Sequence, residues 1–100
     1  LGKPGGRRTK YPGSIEVWTR ELSGGELAVA VYFDAPGRFA LEAVRVGWTA
    51  PLVAVRDVVN RTSLGVFRRD TTIGVESSTA HSVRCFRFSR LFVEGSATIV

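Results

Sequence analysis

Hydrophobic positions in this chain fall in short runs, separated roughly every 8 to 12 residues by breaks of glycine, proline and hydroxyl-bearing residues. Val53-Ala54-Val55-Arg56-Asp57-Val58-Val59, the break Asn60-Arg61-Thr62-Ser63 and the run Leu64-Gly65-Val66-Phe67 stand near the middle. β-Branched residues suit a pleated surface, and Asn, Thr and Ser bond their own backbone in turns, so this stretch predicts a strand turning into a second strand. Leu27 to Phe33 and Arg38 to Trp48 before it, and Thr71 to Glu76 and Ser82 to Phe88 after it, are its expected sheet partners. The pattern predicts an all-β antiparallel sandwich of Greek-key type with about seven or eight strands.

Along the chain, Leu1 to Gly13 has two prolines and four glycines without periodicity, and reads as a linker or end. The sandwich is expected over residues 14–90, followed by an extension or added hairpin over 91–100. Ile15 to Arg20 alternates, Ser23-Gly24-Gly25-Glu26 turns, and Leu27-Ala28-Val29-Ala30-Val31-Tyr32-Phe33 is apolar at every position, as in a strand covered on both faces. Asp34-Ala35-Pro36-Gly37 is a turn. From Arg38 to Trp48 the alternation slips by one residue, which predicts a strand with a bulge near Ala43 or Val44, a helix over Arg38 to Arg45 being the competitor. Val83 to Arg90 interleaves aromatics with arginines and predicts the last core strand. Trp18, Val29, Val31, Leu41 and Phe86 are the expected interior.

Composition sharpens this in two respects. At 44% apolar content, 100 residues suffice for one core and not for two. Of the 14 Lys and Arg, Lys3, Arg7, Arg8 and Lys10 crowd the first ten residues, and the rest of the chain is nearly balanced. No basic stripe with interleaved aromatics continues into the body, so the arm reads as solvated rather than as a nucleic-acid surface. No apolar run is long enough to span a membrane and no signal peptide opens the chain, which reads as cytosolic or as lacking its front.

Catalytic chemistry finds little support. The acids Asp34, Asp70, Glu16, Glu42 and Asp57 lie in turns, at outward strand positions or, for Asp57, beside Arg56, and read as turn residues or surface charges with no pairing expected of a carboxylate hydrolase. His81 lacks a nucleophile elbow among the serines and reads as a strand-end histidine held by backbone. Cys85, the sole cysteine, reads as an inert buried thiol, and no metal or cofactor spacing exists. Asn60-Arg61-Thr62 fits the N-glycosylation sequon.

Several segments resemble a known family. Leu1-Gly2-Lys3-Pro4-Gly5-Gly6-Arg7-Arg8, Glu16-Val17-Trp18-Thr19-Arg20-Glu21-Leu22-Ser23-Gly24-Gly25 and Leu27-Ala28-Val29-Ala30-Val31 resemble the junction and opening strands of the C-terminal domain in family 27 glycoside hydrolases, the α-galactosidases and α-N-acetylgalactosaminidases. Val55-Arg56-Asp57, Leu64-Gly65-Val66-Phe67 and Ala80-His81-Ser82 are similar to its later landmarks, while Asp34-Ala35 and Val59 depart from the pattern. The resemblance implies an accessory sandwich beside a (β/α)8 barrel that holds both catalytic aspartates of a retaining enzyme and hydrolyses terminal α-galactosides. It also implies that this chain is no enzyme alone, that its partner is the barrel or a second copy, and that the compartment is secreted or lysosome-like. An independent carbohydrate- or partner-binding sandwich is the alternative.

Overall fold

The computed structural model describes residues 6–91. Eight strands are present among them: β1 (Arg7–Tyr11), β2 (Ile15–Glu21), β3 (Leu27–Phe33), β4 (Gly37–Glu42), β5 (Leu52–Asp57), β6 (Thr62–Arg68), β7 (Thr72–Ser77) and β8 (Ser82–Ser89). They form a six-stranded sheet, ordered β1-β2-β3-β8-β5-β6, and a two-stranded sheet of β4 and β7. Every pairing is antiparallel. The chain leaves the large sheet after β3, leaves it again after β6, and returns as β8 between β3 and β5. The two sheets make the expected sandwich.

Period-2 alternation decides which side chains fill the space between the sheets. In β3, Leu27, Val29, Val31 and Phe33 are buried, with Ala28, Ala30 and Tyr32 half-buried on the opposite face. Ile15 and Val17, Val53 and Val55, and Phe86 and Phe88 supply the rest of the large sheet's inner face, opposed by Leu41, Ile73 and Val75 of the small sheet. Trp48 closes one side, its ring set edge-on to Phe88 at 6.1 Å and its indole N–H donated to the Leu52 carbonyl at 3.0 Å. Each such apolar side chain contributes about 1.5–3 kcal/mol on burial.

The fold corrects several expectations. Trp18 is 48% exposed rather than interior, because Ile15 and Val17 take the inward phase of β2 and the next residue must face out. Arg7–Tyr11, read as part of a linker, is a strand paired with β2 from Arg7 opposite Thr19 to Tyr11 opposite Ile15. It shows no periodicity because an edge strand can be held by main-chain bonds alone, and four of its five residues are exposed.

The expected strand through Trp48 stops at Glu42. A 3₁₀ turn over Ala43–Val46 follows, and its i, i+3 geometry buries both Ala43 and Val46, which accounts for the slipped alternation without a bulge. Gly47, at φ 99°, ends that turn in the left-handed region that favours glycine. The bulge lies in the central hairpin instead, where the register shifts between Val55 and Arg56 opposite Gly65, at φ 113°. β5 ends at Asp57 and leaves Val58 and Val59 exposed in the turn. Of the four segments expected to partner this hairpin, only β8 pairs with it, and β4 and β7 face it from the other sheet. The tail from Phe92 lies outside the described residues.

Val31, with no exposed surface, tests this core. Val31→Asp places an unpaired charge between the sheets, and urea unfolding is expected to show a loss of more than about 4 kcal/mol, enough to unfold most of the chain. Wild-type stability in that variant would move the core elsewhere.

Candidate functional site

The side chains that sequence reasoning singled out fall on separate parts of the sandwich. Asp34 follows β3 and is exposed, Asp70 lies in the exposed β6–β7 turn, Glu16 faces outward from β2, and Glu42 ends β4, where it accepts from Arg45 and from the Thr72 hydroxyl. His81 precedes β8 at φ 53°. Side chains hold it rather than backbone: its Nδ1 lies 3.1 Å from both the Tyr32 hydroxyl and Asp34 Oδ1. Burial, and then the hydrogen bond to Asp34, push the Tyr32 phenol above its ordinary value. All three groups stand at the surface, where such contacts contribute little.

Asp57 differs from the reading of a turn residue or surface charge. Its place at an inward position of β5 leaves it 2% exposed. Its Oδ1 accepts the Asn60 backbone N–H at 3.0 Å, and its Oδ2 accepts the Asn60 side-chain amide and Arg84 Nη2, each also at 3.0 Å. Arg84 in turn donates Nη1 to the Glu76 carbonyl on β7 at 2.7 Å, so one guanidinium joins the two sheets. The Asn60 backbone bond, followed by those from Arg84 and the Asn60 side chain, outweighs burial and holds the carboxyl below its ordinary range. The signal in the sequence was the phase: Val53, Val55 and Asp57 share one face.

The Asn60 sequon sits in this exposed turn, with its amide committed to Asp57 and its carbonyl accepting from the Thr62 hydroxyl at 3.0 Å. Among the described residues, no buried side-chain nitrogen or oxygen lacks a partner, and no cluster of His, Cys, Asp and Glu is arranged to hold a metal.

Cys85 also departs from expectation. Alternation in β8 sends Phe86 and Phe88 inward, so the thiol is half-buried on the outer face of the large sheet. There it shares a groove of about 490 Å³ with Trp18, Ala28, Ala30 and Val58. The Arg8 guanidinium lies 5.3 Å from the Trp18 ring centroid.

In class the chain is an antiparallel β-sandwich with an open, mostly apolar groove on the outer face of its large sheet. The chain belongs to the family described as the α-galactosidase C-terminal β-sandwich domain, whose model matches residues 12–88. It is similar in fold to part of a glycoside hydrolase family 27 β-L-arabinopyranosidase from Geobacillus stearothermophilus, with 18% identity, TM-score 0.74, 88% of this chain covered and 20% of that one. Similarity also extends to α-galactosidase I from Mortierella vinacea, with 21% identity, TM-score 0.63, 83% of this chain and 22% of that one. The chain thus spans about a fifth of the length of these structures. No curated protein sequence matches it.

Removing Asp57 tests the lock. Asp57→Ala leaves Arg84 Nη2 and both Asn60 amides without their acceptor, and thermal or urea unfolding should show a loss of about 2–3 kcal/mol. A carboxyl held low in the folded chain stabilises it fully above the unfolded value near pH 4, and that stabilisation fades as pH falls through the lower folded value. Below about pH 4 the wild type should therefore converge on the variant, and a constant gap down to pH 2 would contradict the assignment.

Proposed function

We propose that this chain is the C-terminal sandwich of a retaining α-galactosidase-like glycosidase and that it steadies a (β/α)8 catalytic domain preceding it. The match of the C-terminal sandwich model over residues 12–88 carries this reading. The chemistry within the chain agrees with it. Retaining hydrolysis needs a nucleophilic carboxylate and a second carboxylic acid about 5–5.5 Å apart around a sugar. Here Asp57 is sealed under Asn60 and Arg84, Glu42 is engaged by Arg45 and Thr72, and Glu26 is engaged by Arg87 and Ser89. Under this reading the two catalytic groups belong to the preceding domain, and the sandwich acts through stability rather than through contact with substrate.

Reading the gene upstream of Leu1 and expressing the whole frame tests this. The expected result is a barrel-coding stretch of about 250–300 residues, and a product that releases nitrophenol from nitrophenyl α-galactoside or its N-acetyl analogue with the α anomer formed first. Residues 1–100 alone should release none. A frame without a barrel, or turnover by residues 1–100 that vanishes in Asp34→Asn, Asp57→Asn or Asp70→Asn, would overturn the proposal.

A further inference from the structure

At one end of the sandwich, two passages of the chain between the sheets meet at a polar cluster that the accessory role does not use. The β3–β4 connection carries Asp34 out of the large sheet, and the β7–β8 connection brings His81 back to it. Tyr32, the last outward residue of β3, reaches both. The Asp34 backbone N–H is donated to the Ser14 carbonyl at 3.0 Å, so the β1–β2 turn fixes the base of the same corner. His81 adopts φ 53°, in the left-handed region that few residues other than glycine enter, and its imidazole reaches back to β3.

Three polar atoms form a closed triangle there. Tyr32 Oη lies 3.3 Å from Asp34 Oδ1 and 3.1 Å from His81 Nδ1, and His81 Nδ1 lies 3.1 Å from Asp34 Oδ1. Hydrogen bonds cannot fill all three edges. The phenol brings one proton, Nδ1 of the imidazole at most one and the ionised carboxylate none, so two protons serve three contacts. Either one pair of acceptors faces without a proton, or one proton is split between two. A cation held by all three atoms removes that conflict, because each then presents a lone pair to it.

The spacing suits a small ion. Ligands about 2.1 Å from a metal, at angles between the octahedral and tetrahedral values, stand about 3.0–3.4 Å apart. An imidazole nitrogen in the set favours ions of the zinc and copper class over Mg2+ and Ca2+, which take oxygen. The His81 and Asp34 side chains are 73% and 52% exposed, which leaves the outer coordination positions to water. Glu16 stands opposite Tyr32 on β2 and adds a second carboxylate to the corner. Among the described residues, Asp34 has no ion-pair partner other than His81. No three of His, Cys, Asp and Glu meet among them, and here a phenol supplies the third donor.

We infer that Tyr32 Oη, Asp34 Oδ1 and His81 Nδ1 form a surface site for one divalent transition ion of the zinc and copper class, which ties two sheet-to-sheet connections together. The contacts it replaces contribute little at this exposure, so little opposes its entry. The site goes beyond the proposed function: it needs no catalytic domain and gives the ion no part in hydrolysis.

Equilibrium dialysis of the full-length gene product against micromolar Zn2+, followed by metal analysis, tests this. The wild type should retain one Zn2+ per chain more than His81→Asn, a substitution that suits the left-handed backbone and removes the imidazole. Asp34→Ala should lose the same equivalent. Tyr32→Phe should weaken retention at least about tenfold, the cost of losing even an outer partner of a ligand. Asp70→Asn, in the exposed β6–β7 turn, should change nothing. Zn2+ should also raise the unfolding temperature of the wild type more than that of His81→Asn, and Mg2+ should make no such distinction.

Equal zinc content in the wild type and His81→Asn would overturn the inference and leave the triangle to hydrogen bonds alone. A loss in Asp70→Asn equal to that in Asp34→Ala would overturn it as well, by assigning the zinc to surface charge in general. Should Asp34→Ala fail to fold, His81→Asn and Tyr32→Phe decide. None of these results bears on the proposed function, and a gene without a barrel would leave this site standing.

Discussion

Asp57 accepts three hydrogen bonds, from the turn at Asn60 and from Arg84 on β8, and they tie one end of the sandwich together. Two come from Asn60 and fix the turn between β5 and β6. The third comes from Arg84 on β8, which also reaches the main chain of β7 in the opposite sheet. A carboxylate buried to this extent would be costly alone, and it is stable here because every bond it accepts favours the charged form. Without it, the turn between β5 and β6 would lose two of its bonds and the sheets would lose a tie that hydrophobic packing, being non-directional, does not provide.

The unequal sheets set the remaining design. Two strands cover the inner face of six, and Val29, Val31, Phe33, Phe88 and Leu41 are concentrated where they meet. Coverage by the small sheet satisfies only one side of the large one. Its other side keeps apolar residues at the surface, Trp18 and Val83 among them, each 48% exposed. A strand such as β3, with alanines where a solvated sheet would carry polar residues, has a composition suited to contact on both sides. The same alternation thus builds the core and leaves an apolar outer face.

Family membership fits this division of labour. Several of the chain's acids are taken up in ion pairs and hydrogen bonds within the sandwich, and the matched family is that of the C-terminal β-sandwich domain of α-galactosidases. The distant likeness to solved structures supports the same fold at 18–21% identity.

Local pattern was enough for the elements that carry their own signal. β3 was legible at both ends, since Gly25 and Pro36 punctuate an unbroken apolar run, and the turn at Asn60 was legible from side chains that bond their own backbone. The all-β class and the inward positions of Val29, Val31, Leu41 and Phe86 followed from alternation and strand-forming residues. Tertiary structure decided whatever depended on a neighbour. β1 exists because β2 lends it main-chain partners, and nothing in its own residues announces that. Trp18 faces out because Ile15 and Val17 claimed the core, although its size alone argued for the interior. The slip after Glu42 became a 3₁₀ turn because Ala43 and Val46 both had to reach the space between the sheets. Asp57 became structural because Arg84, 27 residues away, arrives beside it. Sequence alone determines periodicity and turn chemistry, which act over a few residues; pairing, facing and the satisfaction of a buried charge depend on groups that only the folded chain brings together.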